Sequence, residues 1–351
     1  MLGFIWNLIL FILILGVIVL IHELGHFTWA KIAGVYVYEF AIGMGPKLWG
    51  KKIGETEYTL RLIPIGGFCQ MAGEDLDADD SEKVPKDRRL QSKSCFQRFL
   101  IMFFGPGNNF ILAILLLFFI GLIWGGTTMN PVVTDLTDNY PASNAGMSIG
   151  DKIVEINGHK VTTSDDVSLY LAIADPKKSN DIKVEKKNGT TENYKVKAKK
   201  VTNDGKESYM FGISMQQERT KGLVSSIKYS VSKFASLVKQ MGLTVKYLFT
   251  GGISLGQLSG PVGIYTVVGE QSRAGLSSIL YLVAYLSINV GFLNLLPIPA
   301  FDGGHIIFII IEAIRRKPVD PELENKIHAI GLMVLLLLML LVTFNDIIKL
   351  F

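Results

Sequence analysis

The sequence predicts a polytopic α-helical membrane protein with four transmembrane helices and a small inserted α+β domain. Three observations predict it. Hydrophobic residues make up 49% of the 351 residues and charged residues only 19%, below the ~25% of an ordinary soluble chain. The apolar residues fall in blocks long enough to cross the ~30 Å hydrocarbon core of a bilayer as helix. Between two of these blocks lies a polar, lysine-rich stretch with the turn residues of short strands. The mean hydropathy of +0.35 excludes intrinsic disorder and an ordinary soluble enzyme. A net charge of +4 is too small to argue for nucleic acid, and two cysteines exclude a disulfide-stapled secreted domain.

Met1–Ile21 contains no charged side chain. No basic residue precedes it and no small-x-small cleavage site follows, so it reads as a retained helix rather than a leader. Residues 1–33 form the first span, with His22-Glu23-Leu24-Gly25-His26 at its end. Residues 34–98 form a loop in which Thr56–Ile63 alternates as a strand should and Glu74–Lys93 is charged and solvated. The uncharged run Phe99–Trp124 gives the second span, 99–126. Residues 127–216 form the inserted domain: Ile153, Val154 and Ile156 make a short strand, Asn157-Gly158 a hairpin turn, Ile182–Val184 a second strand and Lys187-Asn188-Gly189 its turn. Residues 217–275 hold an amphipathic helix over 223–248, whose Lys228, Lys233, Lys239 and Lys246 suit the membrane surface better than a span. The third span is 276–305, a loop covers 306–327, and the fourth span is 328–351.

Basic residues set the orientation. None precedes the first span, residues 31–98 hold eleven, and Arg315, Arg316, Lys317 and Lys326 lie between spans three and four. Both loops are therefore expected in the cytoplasm, with both termini and the inserted domain outside. Cys69 and Cys95 then sit on the reducing side as ordinary thiols.

His22 and His26, at i and i+4, present both imidazoles on one helix face as two ligands of a tetrahedral zinc. Glu23 lies beside them, placed to act on water rather than to ligate. Ionisable groups at the end of an apolar span are costly unless paired or metal-bound, which marks the cluster as functional. A catalytic zinc takes three protein ligands and keeps one position open. Of the five histidines, His159 lies in the inserted domain across the membrane and His328 begins the fourth span. Asp302 and His305 remain, in a segment where Pro297 and Pro299 end the helix and Gly303-Gly304 let the backbone fold back. Spacing and topology leave both open, and a role for Asp302 as a helix cap stands beside them.

Four signatures stand in order along the chain: His22-Glu-Leu-Gly-His26; Gly105-Pro106-Gly107-Asn108-Asn109 opening span two; Gly146…Gly150-Asp151…Ile156-Asn157-Gly158; and Asn294…Pro297…Asp302-Gly303. Ser259-Gly260-Pro261-Val262-Gly263-Ile264 accompanies them. With these, nearly the whole chain resembles the site-2 protease family of intramembrane zinc metalloproteases, in the bacterial regulator-of-sigma-E-protease form with a PDZ domain. The resemblance implies one Zn2+ held by His22, His26 and Asp302, with Glu23 as catalytic acid/base. It implies a membrane-associated β-hairpin or sheet around Lys51–Phe68 and a PDZ fold for 127–216, one such domain where some relatives have two. Asn289 and Asn294 match family asparagines near the substrate path, and interhelical hydrogen bonding explains them equally well. The implied substrates are single-span membrane proteins such as anti-sigma factors and remnant signal peptides, cut in the plasma membrane after an upstream site-1 protease.

A helical substrate hides its carbonyls, and unwinding it in lipid costs several kcal/mol per unsatisfied group. Strand addition to 57–62, through Tyr58, Leu60 and Leu62, is the expected source of replacement partners. Two other readings compete: a membrane zinc peptidase with a cytoplasmic site and a ligand such as Glu312 from a downstream helix, and a non-catalytic PDZ adaptor.

Overall fold

The computed structural model describes residues 2–74, 84–203, 206–215, 219–251 and 260–348. Helix α1, Leu2–Ile32, has no proline to stop it and satisfies its own backbone through the apolar phase. It ends where Gly34 takes φ +71 as a left-handed cap. Strands β1, Val37–Ile53, and β2, Thr56–Met71, follow around a turn at Gly54 with φ +62.

The pairing of β1 with β2 is not that of a simple hairpin. Residues 39–42 pair antiparallel with 67–70 on one side and in parallel with 57–60 on the other, while 49–53 closes antiparallel onto 56–60. The result is four ribbons in the order 49–53, 56–60, 39–42, 67–71. Gly43, φ +86, makes the bend that divides β1; a Cβ there would lie 2.6 Å from the Ile63 carbonyl oxygen. Two 3-10 turns, Lys86–Arg88 and Leu90–Ser92, lead to α2, Cys95–Trp124. Part of the charged stretch expected at Glu74–Lys93, residues 75–83, lies outside the described residues.

The polar region then forms β3 (Gly126–Thr127), β4 (Asp135–Leu136), α3 (Pro141–Asn144), β5 (Lys152–Ile156), β6 (His159–Lys160), α4 (Ser164–Ile173), β7 (Ser179–Glu185), β8 (Thr191–Lys197), β9 (Lys199–Asn203), β10 (Lys206–Met210), β11 (Ile213–Ser214) and β12 (Arg219–Thr220). Helices α5 (Leu223–Phe249), α6 (Pro261–Ala274), α7 (Leu276–Asn294), α8 (Asp302–Arg315) and α9 (Pro321–Ile348) complete the chain. Among the described residues, four helices are long and apolar enough to cross a membrane: Gly3–Ile32, Cys95–Trp124, Leu276–Asn294 and Glu322–Asp346.

Two compact units result, Leu117–Ser254 and the remainder, Met1–Leu116 with Leu255–Phe351. The inserted unit is α+β, as expected. Its sheet runs β6-β5-β7-β8 over a core of Val133, Ile153, Ile156, Val167, Ile182, Val184 and Val196. Asn157 (φ 50) and Gly158 (φ 80) make the tight turn between β5 and β6, and a Thr163/Asp166 capping box starts α4. The unit is larger than 127–216. Helix α5 belongs to it, because two of its four lysines are taken up by α4: Lys233 Nζ donates to Asp165 Oδ2 at 2.7 Å and Lys239 Nζ pairs with Asp166 Oδ1 at 2.9 Å. The lysines were expected on an amphipathic helix at the membrane surface; two of them instead face α4. The stripe left exposed is Val224, Ile227 and Val231.

In the other unit Ile14 and Ile18 of α1 pack with Val268 of α6 and Leu282, Val283 and Leu286 of α7. A second cluster joins Ala30, Val37, Phe40, Cys69 and Met71 to Ile101 of α2 and to Ile306 and Ile309 of α8. Residues 306–327 are therefore not the loop expected. The amphipathic α8 reaches Arg315, its buried stripe at Ile306 and Ile309 hidden in the sequence behind the two prolines. Helix α9 begins at Pro321, seven residues before the expected span.

Candidate metal centre

Helix α1 carries His22, Glu23 and His26, and α2 packs directly behind them. This close crossing requires glycine on both helices. A Cβ on Gly25 would lie 1.9 Å from the Phe104 carbonyl oxygen, and one on Gly105 would lie 2.2 Å from His26 Nε2. The Gly105–Asn109 motif therefore stands well inside α2 rather than at its start. His26 Nδ1–H donates to the Ile101 carbonyl at 2.9 Å, which fixes the ring and turns the Nε2 lone pair inward.

Asp302 arrives from 280 residues away in sequence. Helix α7 stops at Asn294, the chain passes through Pro297, Pro299 and Ala300 (φ 80), and α8 starts at Asp302. A Cβ on Gly303 would lie 2.1 Å from the Leu296 carbonyl oxygen, and one on Gly304 2.8 Å from that of Ile298, so the turn folds onto its glycines as their spacing suggested. The N-cap of α8 is Phe301, with no side-chain capping bond; the Asp302 carboxylate is not spent on a cap.

The donor atoms of His22, His26 and Asp302 lie within 4.8 Å of one another. His22 Nε2 is 3.2 Å from His26 Nε2 and 3.2 Å from Asp302 Oδ2; His26 Nε2 is 3.5 Å from Asp302 Oδ1. Both histidines are more than nine-tenths buried. Asp302 Oδ2 is buried yet has no hydrogen-bond partner of good geometry, so the three groups face a common point more than each other. Metal–ligand bonds of about 2.0–2.2 Å imply tetrahedral edges of roughly 3.3–3.6 Å. Two nitrogens and an oxygen at these separations fit zinc.

His305 is turned elsewhere. Its Nδ1 meets Glu324 Oε1 at 3.0 Å, and its ring stacks on His328 with centroids 3.8 Å apart. His328 Nδ1 accepts the Ala300 N–H at 3.1 Å, which leaves its proton on Nε2 and no lone pair for a metal. Glu312 is likewise engaged, by Arg98 and by the Val319 N–H at 2.8 Å.

Glu23 is half-buried on the flank of the group. The nearest strand is the sheet's edge: a Cβ on Gly67 would lie 3.5 Å from Glu23 Cγ. Among the described residues no strand pairs with the outer side of 67–71. Residues 57–60, by contrast, are hydrogen-bonded on both sides. Tyr58 and Leu60 therefore cannot receive an added strand, which corrects the placement for 57–60; Tyr58 packs instead against Phe27 and Phe40, and Leu62 is exposed. Asn294 ends α7, and Asn289 within it has a buried Oδ1 without a partner. Neither the nearness of Gly67 to Glu23 nor the role of the Ile101 carbonyl is signalled by any local pattern along the chain.

A pair of histidines one turn apart, a distant carboxylate and a neighbouring glutamate, set among membrane-spanning helices, define the class of membrane-embedded zinc hydrolases. The profile of peptidase family M50 matches residues 10–338, and the chain belongs to this family, that of the site-2 proteases. It is a zinc metalloprotease. The chain is 39% identical over 338 residues to a Clostridium perfringens protein provisionally named zinc metalloprotease CPE1693, covering 96% of this chain and 97% of that one. It is 37% identical over 348 residues to the Clostridium acetobutylicum protein provisionally named zinc metalloprotease CA_C1796, covering 98% of each. It is also 34% identical to the regulator of sigma-W protease RasP of Bacillus subtilis, over 99% of this chain and 100% of RasP. That alignment runs to 424 positions against 351 residues here, so RasP carries sequence that this chain lacks.

Proposed function

We propose that this zinc metalloprotease works within the membrane, hydrolysing peptide bonds in or at the edge of the transmembrane segments of single-span proteins. The observation that carries the reading is the convergence of His22, His26 and Asp302, from the ends of apolar helices, to separations of 3.2–3.5 Å. These three residues hold the ion. A bound zinc supplies Lewis acidity there, polarising a carbonyl and making water a better nucleophile at neutral pH. Glu23 takes the proton from the attacking water and returns it to the leaving amine.

The open edge at 67–71 offers an unwound substrate the backbone partners it loses. A strand added there runs past Glu23, which puts scissile bond and acid/base on one line. Asn289, with its unpartnered Oδ1, and Asn294 stand on the helix before Asp302 as candidate substrate contacts.

The inserted unit is read as a PDZ-like domain outside the cell, with both termini on that side and the site toward the cytoplasm. Contacts with α6 support the shared side of the termini: Tyr265 Oη donates to the Phe4 carbonyl at 3.3 Å, and Asp346 Oδ2 accepts from Gly260 N at 2.8 Å. RasP is named as a regulator of sigma-W protease, which is consistent with reading an anti-sigma factor, trimmed first by a site-1 protease, as one type of substrate here. Family membership and the full set of His22, Glu23, His26 and Asp302 weigh against an adaptor. The engagement of Glu312 by Arg98 weighs against a ligand from that helix.

Glu23→Gln tests the mechanism in purified protein with a single-span substrate. It is expected to keep one zinc per chain and to lose cleavage by 10³-fold or more, on the order of general acid–base contributions. Cleavage at the wild-type rate would refute the role of Glu23.

A further inference from the structure

Behind His22 stands a residue with no role in the mechanism above. Asn109 is fully buried. Its backbone carbonyl accepts a hydrogen bond from Ser287 Oγ at 3.0 Å, which fixes this turn of α2 against α7. Its amide group lies against the back of the imidazole, with Nδ2 3.4 Å from His22 Nδ1, and its Oδ1 is buried without a partner.

The two ends of a carboxamide are interchangeable in shape, so the chemistry of His22 decides which one faces it. With the amide nitrogen toward Nδ1, that ring nitrogen must accept and the proton sits on Nε2. Nε2 is the atom 3.2 Å from both His26 Nε2 and Asp302 Oδ2, and a protonated nitrogen cannot bind a metal. With the oxygen toward Nδ1, the ring donates Nδ1–H to Asn109 and Nε2 faces the ion with a lone pair. As placed, the far end of the amide, Oδ1, is buried with no partner, and exchanging the two ends would put that oxygen against the His22 Nδ1–H. His26 already shows the same arrangement, its Nδ1–H held by the Ile101 carbonyl at 2.9 Å.

We propose that Asn109 is a positioning residue for the zinc centre: its side-chain oxygen accepts Nδ1–H of His22 and fixes the tautomer and ring plane in which Nε2 ligates. The inference rests on the assignment of His22 as a ligand. It makes zinc binding and amide orientation one linked event, and it gives a reason for a polar side chain at a fully buried position of an apolar helix.

The test is zinc affinity of the purified full chain in detergent, read by competition with a chromophoric chelator. Asn109→Leu and Asn109→Ala remove the acceptor and are expected to weaken zinc binding by about 10- to 100-fold. Asn109→Asp keeps an acceptor oxygen and is expected to stay within about threefold of wild type, with the visible absorption bands of the Co2+-loaded protein preserved. A purely structural role would not be rescued by a charged side chain. Leu and Ala variants that bind zinc like wild type, or an Asp variant that falls with them, would overturn the proposal; should the Leu variant fail to fold, the Ala and Asp pair decides. His22→Ala separates the two levels. If it loses stoichiometric zinc while the Asn109 variants do not, this inference alone fails; if it binds zinc normally, the ligand assignment fails and this inference with it.

Discussion

At Gly105 a single methyl group decides whether His26 can stand where it does. The Cβ of an alanine would fall 2.2 Å from His26 Nε2, whereas at Gly107 it would meet only the Phe103 and Phe104 rings at 3.5 Å or more. Both lie on one helix, where Gly→Ala otherwise favours helix by up to ~1 kcal/mol. Gly105→Ala is therefore expected to lose most bound zinc and Gly107→Ala to keep it, measured as zinc per purified chain with helicity checked by circular dichroism. Equal zinc in the two would mean that α2 yields at the crossing. The histidines and Glu23 were legible at this scale because i, i+4 spacing on a helix is a local property. The choice of Asp302 over His305 was not, because it depends on a turn that sends the two side chains in different directions.

At the scale of elements, the four-ribbon sheet is tied to the end of α1 through Glu55. This residue in the Gly54–Glu55 turn accepts from Arg88 Nη1 and Nη2 at 2.7 and 2.8 Å and pairs with Lys31. The bidentate Arg88 guanidinium holds the Glu55 carboxyl down to about 2, from an ordinary 4.5. A carboxyl lowered in this way stabilises the fold fully above its ordinary value and loses that contribution as the pH falls from about 4.5 toward 2. Glu55→Gln is expected to cost about 1 kcal/mol at pH 7 and much less near pH 2, seen as a gap in thermal unfolding that narrows in acid. A gap that persists unchanged at low pH would assign the effect to packing.

The edge 67–71 makes a second prediction at this scale. Proline placed at 68, 69 and 70 in turn removes N–H groups that point alternately into the sheet and away from it. One parity is expected to destabilise the sheet; the other is expected to leave the fold intact and reduce cleavage. Loss of cleavage only where stability is also lost would argue against strand addition. The alternation of Thr56–Ile63 was readable, but its neighbours were not: a β-period shows which residues share a face and nothing of which backbone edge stays open.

For the whole molecule, the uneven distribution of Lys and Arg is expected to set the orientation. Cysteines placed at Asn188, in a turn of the inserted unit, and at Glu322, at the start of α9, should report opposite sides. A membrane-impermeant maleimide applied to intact cells is expected to label the first and to reach the second only after permeabilisation. The reverse pattern would invert the topology. Native Cys69 gives little background, since burial pushes its thiol well above the usual range.

The sequence alone determined the membrane class, the four long apolar helices, the presence of an inserted α+β unit and the histidine pair with its neighbouring glutamate, because each is written in composition, helical period or short spacing. Only the tertiary structure decided that residues 306–315 are helix rather than loop, that α5 docks two of its lysines on α4, and that the free strand edge lies beside Glu23. It also brought Asn109 to the back of His22. These depend on which elements approach within contact of one another, and that is settled by packing and pairing in three dimensions, where no periodicity along the chain records the partner.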